Sequence, residues 1–224
     1  MKTIILTSKD DQITTTEFDE FLPKPISASR VLYVTTGLKG SSDLVYADQQ
    51  KQIMQRLNFS YTEYDISNKS KEDLKKALSN IDVVYVVGGS TFYLLKAVRE
   101  SGFDEVIKEL LPKGLVYIGL SAGAYIACPS IIMKTWSSRN SNQFGITDFT
   151  AMNLVPFLLK AHYEPEMKKL LEEKSKNLDL DIRVLNNEQA LIIRDEKIQL
   201  IGGGDEIIIY NGNTLLHTSH THKL

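Results

Sequence analysis

The chain has 224 residues, of which 42% are hydrophobic and 24% charged, and its 26 basic side chains nearly balance 28 acidic ones. This length suits one large α/β domain and is short for two, so we expect residues 1–224 to form a single domain. The absence of a Lys/Arg-rich block argues against nucleic acid as a partner, and the absence of a run of 18 apolar residues argues against a membrane span.

The chain begins with MKTIILTSKD, which lacks the long apolar region of a secretory signal, so we expect a cytoplasmic protein. Short β-branched runs then alternate with amphipathic helical patterns. They predict strands over residues 2–7, 30–36, 60–65, 81–89 and 115–120, and helices over about 43–57, 71–79, 91–101 and 103–111. Ser70 and Asp73 resemble a capping box at the start of the second helix. This order is typical of an α/β fold with a mainly parallel sheet flanked by helices.

The pattern changes after residue 180, where IRVLNN, ALIIRD, KIQLIGG and EIIIYNG follow one another closely. Asp195-Glu196 and Asn211-Gly212 are turn signals between or after these runs. We therefore expect antiparallel strands added to one edge of the sheet in the C-terminal part. Residues 131–160 contain short apolar pieces around the loop-like SSRNSNQFG and predict no clear element.

The segment IGLSAGA, residues 118–124, places Ser121 between two glycines where a strand should lead into a helix. In a sharp elbow of this kind the serine lies exposed at the head of the helix. There the N–H of Ala122 can donate to an oxyanion. VVGGST ends at the same edge of a parallel sheet, so Gly88 and Gly89 can contribute to substrate binding and a second N–H donor. The same glycine spacing also occurs in helix starts without a function.

A serine nucleophile needs a base, and the chain has four histidines. His217, His220 and His222 lie within the last eight residues, where tails are usually mobile and without a role. His162, in LLKAHYEPE, is therefore the leading candidate. The single cysteine, Cys128, excludes an internal disulfide and a paired-cysteine metal site. We expect no metal and no other cofactor.

The base in turn needs a hydrogen-bond acceptor that holds its tautomer. Glu188, in the turn of VLNNEQALII, is a candidate because a turn between strands presents a carboxylate rigidly. A solvated turn glutamate is an equally good interpretation of the local sequence. Asp148 and Asp205 are alternatives.

Three separated segments resemble the S51 serine peptidases, the peptidase E (aspartyl dipeptidase) family related to cyanophycinase. They are KGLVYIGLSAGAYIACPSI, VVGGSTFYLL and LVPFLLKAHY, and the similarity extends through about residues 80–210. The resemblance implies a fold like class I glutamine amidotransferases, with a serine in place of their elbow cysteine. It also implies Ser121 as nucleophile, His162 as base, Glu188 at the family's LPEG-type turn, and Gly89 and Ala122 in the oxyanion hole.

The chain departs from that family in two places. Trp136 stands where some accounts of the family put a triad aspartate. The family's basic GHKGETR-like segment after the histidine, whose arginine meets an aspartyl side chain, is replaced by YEPEMKKLLEEKS. Lys168 or Lys169 would bind a carboxylate less specifically than an arginine fork. Arg139 is another candidate anchor for a substrate carboxylate. Because the family's arginine-containing segment is missing, specificity for Asp-X bonds is doubtful.

These features favour a serine peptidase acting on short peptides, with relatives implying a homodimer. Two alternatives remain. An α/β-hydrolase esterase would use a histidine near the C-terminus, which makes His217 its base. A non-catalytic protein could retain the elbow only as a peptide or anion pocket.

Overall fold

The computed structural model describes residues 2–9, 19–41, 44–56, 60–136, 142–217 and 221–223. In the first half of the chain, strands and helices alternate as expected. The strands are β1 (Thr3–Thr7), β2 (Val31–Val34), β3 (Tyr61–Tyr64), β4 (Val83–Val86) and β5 (Val116–Leu120). The helices are α1 (Thr36–Lys39), α2 (Leu44–Arg56), α3 (Lys71–Leu78), α4 (Thr91–Ser101), α5 (Phe103–Leu110) and α6 (Ala122–Ala127).

The described residues of the second half are rich in strands and contain one further α-helix, α7 (Lys168–Ser175). Its strands are β6 (Leu158–Lys160), β7 (Ile182–Val184), β8 (Ala190–Arg194), β9 (Lys197–Ile201), β10 (Glu206–Tyr210), β11 (Asn213–His217) and β12 (Thr221–Lys223). The turn signals are confirmed, since Asp195 separates β8 from β9 and Asn211-Gly212 separates β10 from β11, and all three residues have positive φ.

Local side chains explain where the central helices begin. The predicted capping box is present at α3, where Ser70 Oγ accepts from Asp73 N–H and the Asp73 carboxylate accepts from Ser70 N–H. At α4, Ser90 Oγ accepts from Tyr93 N–H at 3.3 Å. Both helices therefore start one residue after a serine that binds an otherwise unpaired amide.

A large sheet has the strand order β12-β9-β8-β1-β5-β4-β2-β3. The five strands β1, β5, β4, β2 and β3 run parallel, and β8, β9 and β12 extend the β1 edge in antiparallel fashion. Alternate residues of the parallel strands, such as Val84 and Tyr85, belong to separate apolar clusters on the two faces. The expected α/β class with a mainly parallel sheet is confirmed.

The C-terminal strands differ from the prediction in one respect. Only some of them join the large sheet, because β7 and β10 pair with β6 and β11 in a second sheet of order β11-β10-β7-β6. The chain leaves the large sheet after β9 through Gly202-Gly203-Gly204, where Gly202 and Gly204 have φ of 95° and 91°. Glycine adopts such angles without strain, so this segment lets the chain pass between sheets.

Within the described ranges, no helix is both long enough and apolar enough to cross a membrane.

Candidate active site

The serine of IGLSAGA lies at a sharp turn between β5 and α6. Ser121 has φ 49° and ψ −103°, a conformation that is rare for a residue with a side chain and that concentrates at functional sites. Its N–H donates to Thr7 O at 2.9 Å, at the end of the neighbouring strand β1. The large sheet therefore holds the turn in place.

Two glycines make this turn possible because backbone atoms fill the space beside them. A Cβ on Gly119 would lie 2.6 Å from Gly123 O, and a Cβ on Gly123 would lie 2.9 Å from the Val86 carbonyl carbon. The buried Tyr117 hydroxyl donates to Gly123 O at 2.7 Å and secures the same carbonyl. Backbone packing thus requires glycine at both positions of the predicted elbow.

His162 lies beside this serine. It follows β6 in the second sheet, and its Nε2 is 2.9 Å from Ser121 Oγ. Its own φ is 54°, so the backbone turns sharply there as well. The leading candidate base of the sequence analysis thus lies within hydrogen-bond distance of the candidate nucleophile.

Buried Ser8, just after β1, ties the histidine to the neighbouring loop. Its Oγ accepts from His162 N–H at 3.1 Å and donates to Leu185 O at 3.1 Å. Leu185 O also accepts from Tyr163 N–H at 3.0 Å. These bonds hold the segment that carries His162 against the segment that follows β7.

The second ring nitrogen of His162 faces Asn187 and not Glu188. Asn187 Oδ1 lies 2.8 Å from His162 Nδ1. The Glu188 side chain is exposed, and its backbone N–H donates to Asn186 Oδ1 at 2.8 Å. The residue that contacts His162 Nδ1 is therefore Asn187, one position before the predicted Glu188. An amide oxygen only accepts, so Nδ1 carries the hydrogen and Nε2 accepts from the Ser121 hydroxyl.

The sequence profile of peptidase family S51 matches residues 4–201, which is most of the chain. The chain belongs to peptidase family S51. The expectation of a serine peptidase, and hence a hydrolase, is confirmed at the level of the family.

Individual relatives of this S51 chain agree with that assignment. An uncharacterised peptidase of Listeria innocua is 31% identical over 207 residues, covering 88% of this chain and 95% of that protein. Peptidase E of a Nostoc species is 27% identical over 189 residues, covering 79% of this chain and 74% of the relative. A crystal structure described as a candidate peptidase E from Listeria monocytogenes has a TM-score of 0.76 at 28% identity, covering 91% of this chain and 100% of that one.

The surroundings of His162 in this S51 chain disfavour a positive charge on its ring. Burial lowers the pKa of His162, the hydrogen bond with Asn187 raises it, and the charges of Lys160, Lys134 and Lys9 lower it further. Within the described residues, no carboxylate hydrogen-bonds to this histidine. The ring is therefore held neutral, which is the form that can accept a proton.

The glycines predicted to admit a substrate are close to protein atoms. A Cβ on Gly89, where φ is 118°, would lie 2.9 Å from Leu38 N, and the Cβ position of Gly88 is taken up by the hydroxyl of Tyr46. Glycine at 88 and 89 thus fits the packing of the loop and does not by itself leave an open space. In the described part of the chain, neither Gly89 N–H nor Ala122 N–H donates to another backbone group.

The other acids considered for the base lie elsewhere. Asp148 pairs with Arg99 at 3.1 Å and its side chain is 66% exposed. Asp205 is exposed, and its carbonyl accepts from Gln189 Nε2 at 3.3 Å. Neither is a hydrogen-bond partner of His162 in the described residues.

The basic candidates and the remaining histidines lie at other positions in the fold or outside the described residues. Lys168 and Lys169 are exposed on α7, and Arg139 lies outside the described residues. His217 ends β11, opposite Glu206 in the second sheet, and it is not the histidine that contacts Ser121. His222 is in β12, and His220 is outside the described residues.

Sequence reasoning missed Asn187 and Ser8. A signal for Asn187 was present, because an LPEG-type turn aligned from Leu185 without a gap places its glutamate on Asn187 and its glycine on Glu188. Ser8 carried no signal, since a serine after a strand is common and its two partners are far away in sequence.

Proposed function

We propose that this S51 peptidase is a serine-dependent hydrolase of short peptides, with a dipeptidase-like range of substrates. The supporting observation is the 2.9 Å contact between Ser121 Oγ and His162 Nε2 at a strained strand-to-helix turn. A nucleophile in hydrogen-bond contact with a base whose other nitrogen is held by a third side chain is the arrangement that acyl transfer requires.

In the proposed reaction, Ser121 Oγ attacks the carbon of the scissile carbonyl, and its proton moves to His162 Nε2. His162 then gives this proton to the leaving amine, and the C–N bond breaks. A water molecule repeats the sequence on the acyl-enzyme and releases the acid. The N–H groups of Gly89 and Ala122 donate to the oxyanion of each tetrahedral intermediate.

Asn187 replaces the expected carboxylate as the positioning residue for His162. Its Oδ1 keeps the hydrogen on Nδ1, and so leaves the Nε2 lone pair directed at Ser121. A neutral amide cannot stabilise the imidazolium as a carboxylate does. Papain-like proteases nevertheless use a Cys-His-Asn arrangement, so an asparagine at this position is compatible with catalysis.

Short peptides are proposed because relatives of this chain carry the name peptidase E. Cleavage of Asp-X bonds is not part of the proposal. The first arginine after the histidine, Arg183, is buried and paired with Glu206 in the second sheet. It is therefore not available as an anchor for a substrate carboxylate. A homodimeric assembly and a cytoplasmic location stay predictions from the sequence.

The test compares the wild-type protein with Ser121→Ala and His162→Ala. We expect a fluorophosphonate probe to label the wild type and neither variant. We also expect a library of dipeptides and tripeptides, including Asp-X members, to be cleaved only by the wild type, as followed by mass spectrometry. Undiminished labelling of Ser121→Ala would exclude this serine as the nucleophile.

Ester substrates, a His217→Ala variant and a peptide-binding measurement, added to this experiment, separate the two alternatives. Cleavage of ester substrates alone, lost in a His217→Ala variant, would support the esterase. Tight peptide binding without turnover, unchanged in Ser121→Ala, would support a non-catalytic protein. The contact of Ser121 with His162 favours the peptidase over both.

A further inference from the structure

The Tyr46 hydroxyl group lies beside Gly88, the residue that also adjoins the Ser121 side chain. Tyr46 is the third residue of α2 and is half-buried. The atom nearest to the position where a Cβ on Gly88 would lie is Tyr46 Oη, and the next two, both at 3.2 Å, are Tyr46 Cζ and Ser121 Cβ. The phenol hydroxyl and the serine side chain therefore lie against the same face of Gly88.

The topology of the large sheet explains how distant residues meet here. Strands β2, β4 and β5 are neighbours and parallel, so the segments after them emerge at one edge. Tyr46 lies on the helix pair after β2, Gly88 follows β4, and Ser121 follows β5. His162 follows β6 of the second sheet, so the tyrosine beside Gly88 and the histidine beside Ser121 come from independent parts of the chain.

The chemistry of the site gives this hydroxyl a use. The neutral Asn187 offers His162 no fixed negative charge, and nearby lysines oppose protonation of the ring. Stabilisation of the transition state then depends more heavily on donors directed at the oxyanion. A tyrosine O–H is a neutral donor that serves in oxyanion holes. Tyr46 Oη contacts Gly88, whose peptide bond carries the Gly89 N–H proposed for the same task.

We propose that the Tyr46 hydroxyl donates a third hydrogen bond to the oxyanion that forms at Ser121. This inference rests on the proposed function, because it assigns Tyr46 to the same reaction. It makes Tyr46 a catalytic residue that touches a reacting atom and not only a side chain that packs against Gly88.

Tyr46→Phe tests the proposal, with Tyr210→Phe as the matched control. Tyr210 is 47% exposed on β10 of the second sheet. We expect Tyr46→Phe to lower kcat for a cleaved library peptide about 100-fold, as loss of one oxyanion donor does, with KM within about two-fold. The control should match the wild type.

A second readout needs no known substrate. When a fluorophosphonate labels the protein, the Oγ–P bond forms, fluoride leaves, and the Oγ proton moves to His162. The phosphoryl oxygen occupies the place of the oxyanion, so Tyr46→Phe should lower the second-order rate constant of labelling at least about ten-fold. Unchanged labelling and kcat in Tyr46→Phe, or a raised KM alone, would overturn the role of Tyr46 while leaving the peptidase proposal intact. A wild type that is neither labelled nor active would remove the proposed function and this inference together.

Gly88→Ala provides an independent test, because a methyl group at residue 88 would compete for space with the Tyr46 hydroxyl. The new methyl group meets the Tyr46 hydroxyl in the wild-type background but has more room when residue 46 is phenylalanine. We therefore expect Gly88→Ala to lower the labelling rate strongly alone and little further in the Tyr46→Phe background. If the two substitutions lower the labelling rate by factors that simply multiply in the double variant, the two residues do not share this space. Thermal unfolding of each variant identifies any that fails to fold.

Discussion

The identity of the side chain that faces His162 Nδ1 determines how this site can work. Asn187 makes that contact, and the neighbouring Glu188 carboxylate is exposed to solvent. We expect Asn187→Ala to lower kcat about 100-fold, because the ring loses the bond that fixes its tautomer. Glu188→Gln should change kcat less than two-fold. Measuring both variants under identical conditions decides between the two residues, and the reverse pattern would restore Glu188 as the partner.

The protonation of His162 predicts a pH dependence. Burial and nearby lysines lower its pKa, so the ring stays neutral below the usual value for histidine, about 6.5. The acid limb of kcat/KM for the wild type should therefore have its midpoint below pH 6.5.

Asn187→Asp should move this limb to higher pH, because a carboxylate stabilises the imidazolium. The same change should raise the maximal rate about ten-fold, provided that the geometry is kept. Asn186→Asp is the matched control, since it introduces a charge in the same turn but on a side chain that faces Glu188 N–H. An equal shift in both variants would mean that the effect is only one of nearby charge.

At the scale of elements, the junction of β5 and α6 depends on close backbone contact. A methyl group at Gly123 would press on the carbonyl of Val86 in β4. We expect Gly123→Ala to lower the free energy of unfolding by about 1–3 kcal/mol and to abolish fluorophosphonate labelling. Gly203→Ala is the control, because nothing lies within 4 Å of its added methyl group. Urea unfolding and labelling of both proteins check this, and normal labelling of Gly123→Ala would show that the turn tolerates a side chain.

The elements differ in how much of them the sequence could predict. The parallel strands and α3, α4 and α5 follow from apolar periodicity, with capping serines at α3 and α4, and these signals are local. The division of the C-terminal strands between two sheets depends on pairings between distant residues, such as Leu158 with Ile182. The strand β6 has only three residues and carries no periodic signal. The same distinction applies to the candidate site. IGLSAGA is contiguous and can be recognised in the sequence, whereas Asn187, Ser8 and Tyr46 come near it only after folding.

At the scale of the whole molecule, several paired carboxylates tie stability to pH. Hydrogen bonds from Lys75 and Lys113 lower the pKa of Glu109 to about 2. Burial would raise the pKa of Asp65, but hydrogen bonds from Lys39 and neighbouring groups hold it well below its usual range. These carboxyls bind protons more readily in the unfolded chain, so the stability they provide is complete above about pH 4.5 and is lost as the pH falls through their folded pKa values.

We therefore expect the urea midpoint to fall steeply below pH 4.5, and less steeply in 1 M salt, because salt screens these exposed ion pairs. A shallower decline should begin near pH 6.5, because unfolded His162 protonates there while the folded ring stays neutral. In His162→Gln the shallow decline should be absent and the steep one retained. Circular dichroism across the pH range measures both, and identical curves for the two proteins would contradict the lowered histidine pKa.

The serine belongs to the large sheet and the histidine to the small one, with Ser8 joining the two segments. The catalytic rate therefore depends on how closely the two sheets pack against each other. A displacement of the small sheet by about 1 Å is enough to separate nucleophile from base and to lower the rate about 100-fold. Such a displacement would leave helix and strand content unchanged. Variants that weaken the contact between the two sheets should lose activity at temperatures where circular dichroism still shows the full helix and strand content.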